Sequence, residues 1–316
     1  MSTRRVVALG GGHGLYASLS ALRHLSDDLT AVVTVADDGG SSGRLRRELG
    51  VLPPGDLRMA LSALCDDGEW GRTWRDVLQH RFSGSGELNG HAVGNLLIAS
   101  LWQLLDEPVA GLDWVGRLLQ ARGRVLPMST DPIDIEADVE QPDGSTEVVR
   151  GQALVATARG RITAVRLSPE RPTACAEAVD AVHGADWVVL GPGSLYTSVI
   201  PHLLVPELGE ALVTTSASRC LVFNLSDPAA GEAAGLSPVE HLQALHAHAP
   251  TFTVDAVLAD PGSVDDVDAL FEAVNGFGGR LVLRQVSTGP GSAKHDPLRL
   301  AAALRDVLVG SWGDVA

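Results

Sequence analysis

The chain has 316 residues, 45% of them hydrophobic and 20% charged, with a net charge of −15. That length admits one large domain or two modest ones around a full core, and the composition excludes wholesale disorder. The acidic balance argues against a nucleic-acid backbone as main partner, because affinity there comes from clustered Lys and Arg; an anionic small molecule in a local basic pocket stays open.

Arg5–Leu9 reads as a short buried strand that stops at Gly-Gly-Gly-His-Gly, Gly10 to Gly14. Leu15, Leu19, Leu22 and Leu25 follow at helical spacing. The β-branched run Thr30–Val35 predicts a second strand, ending at Ala36-Asp-Asp-Gly-Gly. Strand, loop, helix, strand is the start of a βαβ unit with parallel strands. Asp56 is placed to cap a helix carrying Leu57, Leu61 and Leu64, and a further helix opens near Gly90–Asn95 and runs through Leu97, Leu101 and Leu104. Ser83–Gly86 between them reads as an exposed loop.

From Ile133 to Leu167 the pattern alternates and contains the turn Pro142-Asp-Gly144, which predicts a hairpin or small antiparallel sheet appended to the main domain. Buried-strand texture resumes at Asp186–Leu190, which ends at Gly-Pro-Gly-Ser, Gly191 to Ser194. Cys220–Phe223 ends at Asn224, Thr253–Leu258 at Ala259-Asp-Pro-Gly262, and Arg280–Val286 at a second Gly-Pro-Gly-Ser, Gly289 to Ser292. A last helix is expected from Pro297 to Val309. The expected fold is α/β, a Rossmann-like doubly wound and mostly parallel sheet. It forms one domain over 1–316 with a β-rich excursion at 133–167. Such sheets bind ligands outside the carboxyl ends of their strands.

The loops at those ends carry the chemistry. From Gly12 the first reads G-x-G-x-x-A, closing at Ala17, and amides at a helix start suit a phosphate or diphosphate. His13 has two open readings: a donor to an anionic oxygen, or an exposed turn histidine. Asp37 and Asp38 fall roughly 20 residues on, where a dinucleotide fold places the acid that binds a ribose hydroxyl. Adjacent carboxylates could equally hold Mg²⁺, or simply favour the turn. Gly39, Gly40, Ser41, Ser42 and Gly43 add amides and hydroxyls, and Arg44 adds a planar donor fork. Arg46 and Arg47 read as solvated helix charges. Arg58 follows in Pro-Pro-Gly-Asp-Leu-Arg, and His91 and Asn95 share a helical face. For that pair, helix packing around a satisfied histidine competes with ligand binding. Gly193 and Ser194 turn directly after a buried strand, to bind phosphate or sugar or only to reverse the chain.

Several chemistries drop out. Lys294 is the single lysine, so the Gly-Lys-Ser/Thr of a Walker A loop is missing, and no HExxH occurs. Cys65, Cys175 and Cys220 are far apart and read as reduced cytoplasmic cysteines; His246 and His248 read as surface residues. The N-terminus shows no apolar signal core, and no apolar run approaches a membrane span. A cytoplasmic location is expected.

Taken together and in order, VALGGGHGL, VTVADDGGSSGRLR, PPGDLRMAL, GHAVGNLL, RVLPMS and DWVVLGPGSLYTSVIPHLLV resemble the YvcK proteins, or gluconeogenesis factors, most nearly their actinobacterial branch. The wider superfamily includes CofD, the 2-phospho-L-lactate transferase of coenzyme F420 synthesis. The resemblance spans nearly the whole chain. It implies a Rossmann-like fold that binds UDP-sugars, chiefly UDP-N-acetylglucosamine, and regulates gluconeogenic growth, cell shape and cell-wall precursor supply through an unidentified protein partner. Self-association is left open, and no firm catalytic activity is implied. By motif the implied ligand shell is Gly11, Gly12, His13, Gly14 and Leu15; Asp37, Asp38, Gly39, Gly40 and Ser41; Gly193, Ser194 and Asn224. In the transferase branch the acids resemble those holding acceptor and metal. A Mg²⁺-dependent transferase is therefore the first alternative, and an NAD-binding protein the second. The chain departs from the family at His13, where relatives often have threonine, and after Asn224, where Leu225-Ser-Asp-Pro-Ala-Ala replaces the usual pattern. Contacts of that last loop are not carried over.

Overall fold

The computed structural model describes residues 4–225 and 236–310. Among these residues ten strands form two sheets. β1 (Arg5–Gly10), β2 (Asp28–Val33), β3 (Arg124–Pro127), β7 (Trp187–Leu190), β8 (Ser218–Val222), β9 (Ala256–Ala259) and β10 (Arg280–Leu283) make one sheet in the order β10-β9-β8-β7-β1-β2-β3. Every pairing in it is parallel. β4 (Asp134–Glu140), β5 (Thr146–Arg150) and β6 (Arg161–Ser168) form the second, antiparallel, in the order β5-β4-β6. This is the expected α/β architecture with its β-rich excursion.

The central strands read as unbroken apolar runs because helices cover both faces of the sheet. Val6, Val7, Ala8 and Leu9 of β1 are all buried, as are all four residues of β7 and of β9. β1 is central, pairing Val6 with Leu29 on one side and with Trp187 on the other. The helices that bear on the site are α1 (Gly12–Leu22), α2 (Gly40–Leu49), α3 (Gly55–Leu64), α4 (Glu69–Gln79), α5 (Val93–Leu105), α6 (Pro108–Leu119) and the single turn α7 (Gln152–Val155). The final helix spans Pro297–Val309, as expected.

Some boundaries move for identifiable reasons. The second strand lies two residues earlier than its β-branched run. Asp56 does not cap α3: the helix begins at Gly55, and Asp56 sits in its first turn with its carboxyl turned to the first glycine loop. β10 stops at Leu283 because the Val286 and Ser287 amides leave the sheet for the Asp260 carboxylate, at 2.8 Å each. α4, α6 and β3 carry too little pattern to predict; in α4 only Gly71 and Leu78 are buried.

The excursion is amphipathic across β4. Ile135, Ala137 and Val139 face inward, buried. Asp134, Glu136, Asp138 and Glu140 face outward, and each meets an arginine: Arg46, Arg150, Arg166 and Arg161 respectively. Arg46 is therefore no solvated charge but ties α2 to the excursion at 2.8 Å. Nor is His248 a free surface residue, since its Nε2 accepts the Val165 amide at 2.9 Å.

Candidate functional site

β1 and β7 are neighbours from which the chain departs in opposite directions, which opens a crevice at their carboxyl ends. The first glycine loop and the first Gly-Pro-Gly-Ser meet there, backbone to backbone. A Cβ on Gly14 would lie 2.0 Å from the Pro192 carbonyl oxygen, so only glycine lets the loops touch. Gly12, at φ +56, uses the left-handed backbone that glycine adopts without strain. Ser18 Oγ donates to the Gly191 carbonyl at 2.7 Å and fixes the junction from below.

The leading amides of α1 have no partner within the helix and point out of the carboxyl edge, a ready anion site. Gly11, the residue before the helix, brings no side chain to cap it, and the Asp56 carboxyl takes the Gly12 amide. Leu15 contributes no side chain to the crevice: it is 1% exposed in the core, and its amide bonds to the Gly11 carbonyl at 3.2 Å. His13 is exposed at the rim.

Asn224 is committed to the second loop. Its Oδ1 accepts the Gly193 amide at 2.7 Å, and its Nδ2 donates to the Gly193 carbonyl at 2.6 Å. Ser194 Oγ accepts the Thr197 amide at 3.0 Å and pairs with the Thr197 hydroxyl. These residues shape the Gly-Pro-Gly-Ser turn. The departure from the family pattern after Leu225 lies outside the described residues.

The adjacent acids turn to different partners. Asp38 Oδ1 accepts the Ala153 amide at 2.9 Å, and its other oxygen packs on bare Gly151, which clasps the excursion to the end of β2. Asp37 Oδ1 accepts the Gly39 amide at 2.9 Å, while its Oδ2 packs on Gly55 beside Ser42. The acid that joins Asp37 is Asp56, whose Oδ2 lies 2.6 Å from the point where Gly11 would carry a Cβ. Burial, and then the negative charge of Asp37, push the Asp56 pKa up to about 7; the Gly12 amide and Arg58 pull the other way. Among the described residues no group of three or more His, Cys, Asp or Glu is placed to hold a metal ion.

Behind this surface, four more of the expected residues form one buried chain. Ser41 Oγ meets His91 Nδ1 at 3.0 Å and accepts Asn95 Nδ2 at 3.0 Å. Asn95 Oδ1 accepts Arg58 Nε at 2.9 Å, and Arg58 continues to Gln79 Oε1. Arg58 is 3% exposed, and burial followed by the charge of Arg81 lowers its pKa to about 10. Burial also lowers His91, with Arg44 second. The four therefore brace α2, α3 and α5 against one another. Arg44 turns outward to the carbonyls of Glu87 and Asn89, at 3.1 and 2.7 Å. Gly40 begins α2 at the carboxyl edge of β2, a second helix start near the first, with the Gly39 amide before it held by Asp37 Oδ1.

The three cysteines are buried and inert: burial pushes Cys65 up to about 11 and Cys175 and Cys220 to about 12. Two grooves of about 540 Å³ lie elsewhere, one along β5 and one beside Asp260 and Ser287 at the ends of β9 and β10. No helix among the described residues is long and apolar enough to cross a membrane.

Comparisons with other proteins agree with this architecture. The family described as 2-phospho-L-lactate transferase CofD matches residues 6–273. A protein of Mycobacterium tuberculosis (strain H37Rv) named "Putative gluconeogenesis factor" is 52% identical over 318 residues, covering 98% of this chain and 92% of that protein. The "Gluconeogenesis factor" of Bacillus subtilis (strain 168) is 34% identical over 319 residues, covering 96% of this chain and 98% of its own. The crystal structure of a UPF0052 family member from Bacillus halodurans superposes with a TM-score of 0.84 at 33% identity, over 96% of this chain and 99% of that one.

Proposed function

The chain belongs to the CofD family, among its gluconeogenesis factors, and from that premise we propose that it binds a UDP-sugar, UDP-N-acetylglucosamine foremost, across the β1–β7 crevice. It works by binding rather than turnover, as a cytoplasmic regulator of gluconeogenic growth, cell-wall precursor supply and cell shape, read by a protein partner. The observation that carries this reading is the meeting of two glycine loops, with the start of α1 on one side and the Asp37 carboxylate on the other. Amides suit a diphosphate, and a carboxylate accepts hydroxyls of ribose or sugar. Such a protein signals by population shift, so its ligand must favour one conformation over another.

Calorimetric titration with UDP-N-acetylglucosamine, with and without Mg²⁺ and with NAD in parallel, tests the reading. Saturable binding with the sugar nucleotide recovered intact is expected. Asp37→Ala should weaken that binding without unfolding the chain, and wild-type affinity in this variant would remove Asp37 from the site. Stronger binding of NAD would overturn the choice of ligand. The gluconeogenic role is read separately, from growth of a deletion strain on gluconeogenic against glycolytic carbon.

A Mg²⁺-dependent transfer of a phosphoryl-linked group is the second reading. It is favoured by the family description and by Asp56, a carboxyl with a pKa near neutrality at the loop. Turnover of a nucleotide-linked donor, abolished by EDTA, would establish it.

A further inference from the structure

The outer face of α4 and α6 displays what a folded surface usually covers. Trp70, Trp74 and Trp114 stand there, half of the chain's six tryptophans, and Trp70 and Trp114 are each half exposed. The Trp70 ring lies 5.7 Å from that of Trp74, and its Nε1 donates to the Leu118 carbonyl at 2.7 Å. Leu118 is one helical turn past Trp114 on α6, so the aromatic groups form one strip. Arg117 lies over the Trp114 ring at 5.0 Å, and Arg72 on α4 donates to the Asp67 carbonyl at 2.7 Å. Among the described residues neither guanidinium is paired with a carboxylate. The acids around them are already matched: Asp66, Asp67, Asp76 and Asp113 pair with Arg122, Arg23, Arg75 and Arg124, which leaves Glu69 against Arg72 and Arg117. The strip is thus aromatic and locally positive on a chain of net charge −15. Contiguous apolar surface of this kind marks a contact face, and tryptophan with arginine is the composition of interface hot spots.

The complement to that face is present on the same chain. The helix Val267–Gly276, between β9 and β10, buries Leu270 and Val274 and leaves Val267 and Phe271 exposed. Asp268 and Glu272 follow them at the same four-residue spacing, so two apolar and two acidic side chains share one outward surface. From Pro261 to Gly279 there are four acids and no Lys or Arg. One of the four, Asp266, caps the helix by accepting the Ala269 amide at 2.9 Å. This helix packs on β10, whereas α6 packs on β3. β10 and β3 are the two edges of the seven-stranded sheet, so the acidic and the aromatic faces look out from opposite ends of the molecule. They cannot meet within one copy.

We propose that the chain binds a second copy of itself head to tail. Val267 and Phe271 of one copy settle on Trp70 and Trp114 of the next, with Asp268 and Glu272 against Arg72 and Arg117. This pairing joins apolar to aromatic and acid to arginine, a match that neither face makes with its own like. Contact between two different faces leaves one of each free at the ends of every assembly, so copies add in an open chain rather than closing as a twofold dimer. One helix laid on two is a small interface at the weak end of the scale, and its ion pairs are open to salt. Association therefore belongs to raised concentration and low ionic strength. An anionic bilayer suits the tryptophans and arginines less well, because the net charge of −15 is repelled by it.

Sedimentation velocity of the full chain tests this. In about 50 mM salt the mean mass should climb above the 33.0 kDa of one chain as concentration rises, and fall back in about 500 mM salt. Arg72→Glu with Arg117→Glu spoils one face, and Asp268→Arg with Glu272→Arg spoils the other; each double variant alone should stay monomeric. Mixed in equal amounts they retain one matching pair of faces, and should form a complex of two chains and nothing larger. Trp114→Ala leaves every charge in place and should weaken association by about tenfold or more, as truncation of an interface tryptophan does. It remains informative if a double variant fails to fold. A wild type that stays monomeric at every concentration would overturn the proposal, whether or not it sediments with phosphatidylglycerol vesicles. So would an inert mixture of the two folded variants. Association that survives the Asp268 and Glu272 reversals would overturn it too, since the aromatic face would then be meeting its own copy.

Discussion

Asp56 is the residue whose surroundings most oppose its ordinary state. Its carboxyl moves from 3.8 to about 7, by burial first and by Asp37 second. The folded chain therefore holds a proton that the unfolded chain has released between about pH 4 and 7. Its contribution to stability is full below pH 4 and is lost as pH rises through 7. Asp56→Asn should remove that loss, so thermal melts from pH 5 to 8 should fall for wild type relative to the variant. The difference at pH 8 should approach about 4 kcal/mol, the conversion of about 1.4 kcal/mol per pKa unit applied to the rise from 3.8 to about 7. Parallel melting curves would show that Asp56 titrates normally. Gly14 allows an independent test of the loop junction. Its Cβ would lie 2.0 Å from the Pro192 oxygen, so Gly14→Ala must part the loops. A loss of about 1–3 kcal/mol is expected from such overpacking, with binding of the sugar nucleotide impaired. A variant as stable as wild type would mean that the loops are not locked.

At the scale of elements, the excursion hangs on few side chains, and Asp38 is the clasp nearest the site. Asp38→Ala frees the Ala153 amide and opens the packing on Gly151. It should cost roughly 1–3 kcal/mol, as charge-assisted hydrogen bonds do. Hydrogen exchange should quicken in 146–157 and stay unchanged in β1 and β7; uniform quickening would argue against a local role. The elements themselves were legible to differing degrees. β1, β7 and β9 announce themselves because burial on both faces demands continuous apolar runs, each ended by glycine or Asp-Pro-Gly. β4 and β6 show through alternation, since one face is buried and the other bears the paired charges. α4 hides because it buries little, and β3 because four residues hold no period.

Across the whole molecule, the candidate site was legible where it is local and opaque where it is assembled. Gly11, Gly14 and Asp37 are readable because a loop between strand and helix fixes its own geometry. The meeting of Gly11, Asp56 and Ser198 exists only after three distant segments pack, and Asp56 had a simpler explanation as a helix cap. Ser41, His91, Asn95 and Arg58 are each readable as polar candidates, but that they satisfy one another shows only once α2, α3 and α5 stand together.

The central place of β1 bears on how the protein is made. One of its flanks closes early, when Asp28–Val33 emerges, but the other must wait for Trp187–Leu190. At about 5–20 residues per second, ribosomal synthesis leaves that flank open for roughly 10–40 s. During that interval a nascent chain displays an apolar edge suited to pair with a neighbour on the same polysome. A fragment ending at residue 186 should accordingly aggregate on expression, while one carried through residue 225 should be markedly more soluble. Equal solubility of the two would show that β1 is shielded before its partner arrives.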